Sequence, residues 1–225
     1  MTAIFVTATG TDIGKTFVAA GLIRHWRAQG RKAAALKPVM TGYDASTAAA
    51  SDAGALLAAM GLEATEDTIS QVSPWRFAAP LSPDMAAARE GRTLDCAELL
   101  EFCRRTIDRH DGTLLIEGIG GVMVPLDERH TVLDWIEALK IPALLVTGSY
   151  LGSLSHTLTS LDVLRRRSIA VAALAVNETP GSTVPLAETL ATLRRFAGPT
   201  PVTALPRMDD GEAGHPAFAE LATLL

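Results

Sequence analysis

The 225-residue chain has only two cysteines, little charge at 20% Asp, Glu, Lys and Arg, and no excess of positive charge, its formal net being −5. Each shortage excludes something. Cys96 and Cys103 stand seven apart in one helical stretch, where they share a face and cannot form a Cys-x-x-Cys site, so a reduced, cytoplasmic protein is expected. The acidic balance argues against a broad basic face for nucleic acid. No apolar run approaches the roughly 20 residues of a membrane span, and the opening "MTAIFV" lacks a basic secretory segment. Repeats and low-complexity tracts are absent apart from the alanine patch Ala48–Ala50.

What is present is apolar. At 48% hydrophobic residues the chain folds rather than staying disordered, and its length suits one large α/β domain over residues 1–225. Strands are predicted at Ala3–Thr7, Lys32–Leu36, Thr113–Ile116, Ala143–Thr147, Ala170–Val176 and Val202–Leu205. They alternate little, as strands covered on both faces of a parallel sheet do. Helices are predicted at Lys15–Gln29, Ser51–Met60, Cys96–Arg109, Ser153–Arg167 and Leu186–Phe196, several of them closed by glycine. The arginines at 165–167 and 194–195 fall at helix ends, where they offset the macrodipole. Thr41 to about Ser51, polar and rich in small residues, reads as a mobile surface loop. The fold class is therefore α/β, a doubly wound and mostly parallel sheet with helices on both faces. In such folds ligands gather at the carboxyl ends of the strands.

Four segments with chemical potential lie at those ends. "TATGTDIGKTF" joins the first strand to the first helix, and Gly14, Lys15 and Thr16 fit a phosphate loop although Thr9 stands where the common spacing wants glycine. "LKPVMTG" puts Lys37 at the sheet edge beside it, so that two lysines converge on one anionic substrate. "TLLIEGIGGVMVPL" ends a buried strand on Glu117, the place of a magnesium-organising carboxylate, followed by a glycine-rich turn. "VTGSYLGSLSH" leads into a hydroxyl-rich helix where Ser153 or Ser155 caps the helix or the free N–H groups hold a carboxylate. Asp52 opens another helix, and Asn177 either reads a base edge or finishes its strand.

Together these blocks resemble the dethiobiotin synthetase family nearly end to end. "TDIGKTF", "LKPVMTG", "SDAGAL", "FAAPLSP", "IEGIGGVMVPL", "LGSLSH" and "AVNE" match in order and spacing. That family's phosphate loop is one residue longer than the common one, which puts its first position at Ala8. Ala8 replaces a glycine there, Gly10 stands where aspartate is common, Asp12 replaces a glutamate, and Tyr150 replaces a common lysine.

The resemblance implies a P-loop NTPase fold and a ligase of biotin biosynthesis. Its substrates are 7,8-diaminononanoate, carbon dioxide and ATP, and its product dethiobiotin arises through a carbamate and a carbamic-phosphoric anhydride. By the same resemblance Lys15 holds the β/γ-phosphates, Lys37 bridges carbamate and γ-phosphate, and Thr11 and Thr41 hydrogen-bond nearby. Thr16, Asp52 and Glu117 organise Mg2+, an all-oxygen set for a hard cation. The nucleotide rests against Asp12, Ile13, Gly14 and Phe17, with Gly118, Ile119 and Gly120 approaching the reacting groups. Asn177, Glu178, Leu205, Pro206 and Arg207 cradle adenine. A homodimer is implied, with the substrate carboxylate held at Gly152 and Ser153 of the partner chain; neither nucleic acid nor membrane is expected as partner. Switch-type ATPases of the partition and positioning kind are the rival, but they carry an extra lysine early in the loop, where this chain has Thr9, Gly10 and Thr11. Related amidoligases come joined to a glutamine-amidotransferase domain too large for 225 residues.

Overall fold

The computed structural model describes residues 2–208 and 214–225. Thr2–Ala8 forms β1, Lys15–Ala28 α1, Ala33–Leu36 β2 and Val39–Thr41 β3. A 3-10 helix at Ala45–Ala50 precedes α2 (Asp52–Ala59), α3 (Glu66–Val72), β4 (Trp75–Phe77), α4 (Pro83–Arg89) and α5 (Cys96–Arg109). Then come β5 (Thr113–Glu117), α6 (Val132–Leu139), β6 (Ala143–Gly148) and α7 (Ser153–Arg166). The chain closes with β7 (Val171–Asn177), α8 (Leu186–Phe196), β8 (Val202–Leu205) and α9 (Pro216–Ala222).

Six strands build the main sheet in the order β2-β5-β1-β6-β7-β8, and every pairing is parallel. The apolar runs explain this. Every residue of β5 and β6 is buried, which only a sheet covered on both faces provides. Phe5 of β1 meets Trp135 of α6 edge to face at 4.8 Å between ring centroids. On α1, a Cβ at Gly21 would lie 2.1 Å from the Phe218 ring, so the bare glycine is what lets α9 dock there.

Because β1 is central and its neighbours run on opposite sides, the turn after it stands at the switch point where such sheets bind ligands. Register then brings the ends of several strands level. Val6 pairs with Glu117, Gly148 with Asn177, and Asn177 with Leu205. A second sheet pairs only β3 and β4, in parallel. The segment read as a mobile loop is instead structured: it starts on β3, and the Asp44 carboxylate accepts from Ser46 N and caps the 3-10 helix. Local side-chain capping by Asp44 is what polarity alone did not reveal. No described helix is long and apolar enough to cross a membrane.

Candidate active site

The turn from β1 to α1 gets its shape from two left-handed residues, Asp12 at φ 54° and Gly14 at φ 89°. A Cβ at Gly14 would lie 2.4 Å from Asn177 Nδ2, the atom that donates to the Ile13 carbonyl at 2.7 Å. Ala8 is not part of this curvature. It is buried in β1, paired with Val146, and a methyl group fits there as in any strand. Gly10 does not have positive φ either, so it has not taken over a flexible role from position 8. A Cβ on Gly10 would meet only the end of the Ile13 side chain, at 3.0 Å; the close backbone approach here belongs to Gly121, whose Cβ would come 3.2 Å from Gly10 N.

No side chain caps α1, and no acid lies in its first turn, so its N–H groups and positive dipole end face the turn unneutralised. Lys15, nearly buried, donates from Nζ to the Gly10 carbonyl at 3.2 Å. Burial and then the neighbouring Lys37 charge push its pKa down to about 8.

Lys37 lies just beyond β2 and is 3% exposed. Its ammonium donates to Glu117 Oε1 at 2.6 Å and the Gly118 carbonyl at 3.0 Å, and pairs with Asp52 Oδ2 at 2.9 Å. Three partners take up all three of its protons. Burial opposes that charge, but Glu117 and Asp52 more than offset it and hold the pKa above the ordinary lysine value. Asp52 shows the same balance: desolvation disfavours its charge, and Lys37 with Thr16 more than offsets this and brings its carboxyl below the usual range. Thr16 Oγ1 donates to Glu117 Oε1 at 2.7 Å. Glu117 Oε2 is buried with no hydrogen-bond partner.

These groups line one cavity of about 540 Å³, with Thr11, Asp12, Gly14, Thr41, Ile119 and Gly120 on its walls. A second cavity of about 350 Å³ shares Asp12 and Gly14 with the first and adds Ile13, Phe17, Asn177, Glu178 and the Leu205-Pro206-Arg207 segment. Asn177 Oδ1 is buried there without a partner. The two cavities meet at the turn through Asp12 and Gly14.

The structure thus gathers nearly every residue singled out from the sequence. Gly118 enters through its carbonyl on Lys37. Gly152 and Ser153 are the exceptions, lining neither cavity. Gly152, not a serine, is the N-cap of α7, at φ 98°, and no side chain caps that helix. Ser153 is fully buried with its hydroxyl unpartnered, while the neighbouring Leu151 is 89% exposed. Tyr150, in place of the family's lysine, bonds through its hydroxyl to His156 Nδ1 at 2.9 Å. Tyr43 and Ser51 also line the first cavity and went unnoticed in the sequence. Arg76 lies 5.2 Å over the Tyr43 ring, a contact between distant segments with no local signal.

An AAA domain family model matches residues 2–213. ATP-dependent dethiobiotin synthetase BioD of Acidiphilium cryptum is 52% identical over 202 residues, covering 89% of this chain and 91% of that one. The enzymes of the same name from Methylobacterium nodulans and Phenylobacterium zucineum are 48% and 46% identical, covering 88% and 99% of this chain and 90% and 94% of theirs. Among solved structures, the cell division ATPase MinD of Pyrococcus furiosus superposes with a TM-score of 0.57 at 16% identity, covering 100% of this chain and 98% of that one. MinD of Pyrococcus horikoshii with Mg-ADP gives 0.58 at 16% identity, over 98% of this chain and 94% of that one. At such identity the two MinD structures establish the shared fold alone.

Proposed function

The chain belongs to the dethiobiotin synthetase family, and we propose that its two joined cavities are where ATP and a diamine react. As a member it is an ATP-dependent ligase of biotin biosynthesis. One synthetase domain spans residues 1–225 in this reading, in the cytoplasm. The observation that carries the assignment is the convergence of buried Lys15, Lys37 and Glu117 with the half-exposed Asp52 in one cavity beside an uncapped helix start.

The substrates are 7,8-diaminononanoate, carbon dioxide and ATP. One amine nitrogen attacks carbon dioxide and loses a proton, leaving a carbamate. A carbamate oxygen then attacks the γ-phosphorus, and ADP departs. The second amine attacks the carbonyl carbon of the resulting anhydride, phosphate leaves, and the ureido ring closes. Every intermediate is anionic, so positioning and charge neutralisation carry the catalysis. Lys15 and the N–H groups of the α1 start hold the β/γ-phosphates. Lys37 meets carbamate and γ-phosphate, which requires it to give up at least one of its three present partners. Thr11 and Thr41 line the same wall and orient the carbamate. Gly118 to Gly120 keep the backbone close to the reacting atoms.

Thr16, Asp52 and Glu117 suit Mg2+, because all offer hard oxygen donors and the buried Glu117 Oε2 lacks a partner that a cation would supply. When bound, magnesium spreads the charge of the transferring phosphoryl group. Adenine fits the second cavity, where the unpartnered Asn177 Oδ1 accepts from its exocyclic amine and the backbone of residues 205–207 borders the ring. The distant substrate carboxylate is anchored at Gly152 and Ser153 of a partner chain in a homodimer. The uncapped α7 and the exposed Leu151 support this, whereas the buried Ser153 hydroxyl has to be uncovered before it can meet a carboxylate.

Turnover of ATP with and without the diamine tests the assignment. ADP forms only when diamine and bicarbonate are both present. Steady hydrolysis indifferent to the diamine would instead favour a switch ATPase.

A further inference from the structure

Outside the catalytic cavities, three metal-ligating side chains of different chemistry meet where α5 begins. Cys96 is the first residue of α5, while Asp127 and His130 lie on the turn that leads to α6. One ligand atom from each falls within 4.8 Å of the other two. The turn holds two of them face to face. Asp127 Oδ1 accepts from Arg129 N and His130 N, both at 2.7 Å, and Leu126 N donates back to the His130 carbonyl at 2.8 Å. His130 Nδ1 thereby sits 2.8 Å from Asp127 Oδ2.

We propose that Cys96, Asp127 and His130 form a second metal site, for a borderline-soft divalent cation of the Zn2+ class. A tetrahedral zinc with bonds of about 2.0 Å to nitrogen or oxygen and about 2.3 Å to sulfur wants its ligand atoms roughly 3.3–3.7 Å apart. The trio reaches that when the 2.8 Å His130–Asp127 pair opens by about half an ångström and any separation near the 4.8 Å limit closes by about one, both within the range of side-chain rotation. Thiolate, imidazole and carboxylate together select zinc over magnesium, so the hard cation of the reaction does not compete.

On binding, Cys96 releases its proton to solvent and its sulfur ligates as thiolate. His130 ligates through Nδ1 and keeps its one proton on Nε2. The His130 side chain is 49% exposed, which leaves a fourth position open to water. The site has a structural consequence. It ties the start of α5 to the far end of the segment whose near end, Glu117 to Gly120, lines the catalytic cavity.

Cobalt(II) titration of the reduced, full-length protein tests this. Expected is one equivalent of cobalt with a near-ultraviolet thiolate-to-cobalt charge-transfer band, displaced by zinc and unchanged by excess magnesium. The band should vanish in Cys96→Ser, need at least ~10-fold more cobalt in His130→Ala, and persist in Cys103→Ser and Glu117→Gln. Absence of the band from the unmodified protein at millimolar cobalt overturns the proposal. So does a band that survives Cys96→Ser.

Discussion

Lys37 Nζ lies 2.6 Å from Glu117 Oε1, and both side chains are buried where β2 and β5 end. Removing the lysine leaves Glu117 unpaired in the interior, which costs about 3–5 kcal/mol in comparable buried pairs. Lys37→Ala should therefore melt lower as well as react slowly, losing ~10²-fold or more in kcat/KM while ATP titrates nearly as before. Near-normal turnover in that variant removes Lys37 from the chemistry. Lys15→Ala differs by weakening ATP binding as well.

The Lys15 pKa of about 8 has a measurable consequence. Its folded value lies below the ordinary 10.5, so between those two pH values the unfolded chain binds the extra proton and stability rises with pH. Below about 8 the folded protein carries the full burden of a buried charged lysine. Bound phosphates reverse this by restoring the proton. ATP binding at pH 9 should take up nearly one proton, seen by calorimetry in buffers of different ionisation enthalpy. Lys15→Met should abolish that uptake.

Position 8 and position 14 should respond oppositely. Gly14→Ala forces a left-handed alanine, about 1–2 kcal/mol of strain, and drives Cβ into Asn177 Nδ2, so nucleotide affinity should fall sharply. Ala8→Gly sits in a paired, buried strand and should lose about 0.5–1 kcal/mol of stability without improving ATP binding. Tighter nucleotide binding by Ala8→Gly would show that the alanine crowds the phosphate. Equilibrium titration with denaturation curves distinguishes the outcomes.

Much of this was legible in the sequence because the signals are local. The six main strands announce themselves as unbroken apolar runs, and Gly14, Lys15 and Thr16 are contiguous. What escaped is short or mutual. β3 and β4 have three residues each, too few for any periodicity, and pair only with each other. α6 has only eight residues, little more than two turns, and its start is set by the Thr131–Asp134 capping box. Asp52 and Glu117 were legible as carboxylates, but their common grip on Lys37 joins segments 15 and 80 residues from it, which no spacing encodes.

The shared-site reading also makes a commitment. Lys37→Ala and Gly152→Trp should each be inactive, and mixing them should restore activity once subunits exchange, because one site of each heterodimer carries neither defect. A fully active monomer at working concentration rules out carboxylate anchoring by a partner.

Most direct of all is product analysis with 7,8-diaminononanoate, 13C-bicarbonate, magnesium and ATP. Expected is dethiobiotin carrying one 13C in its ureido carbon, with one ADP and one phosphate per ring closed. Phosphate release without labelled dethiobiotin contradicts the assignment of these cavities to ureido-ring synthesis.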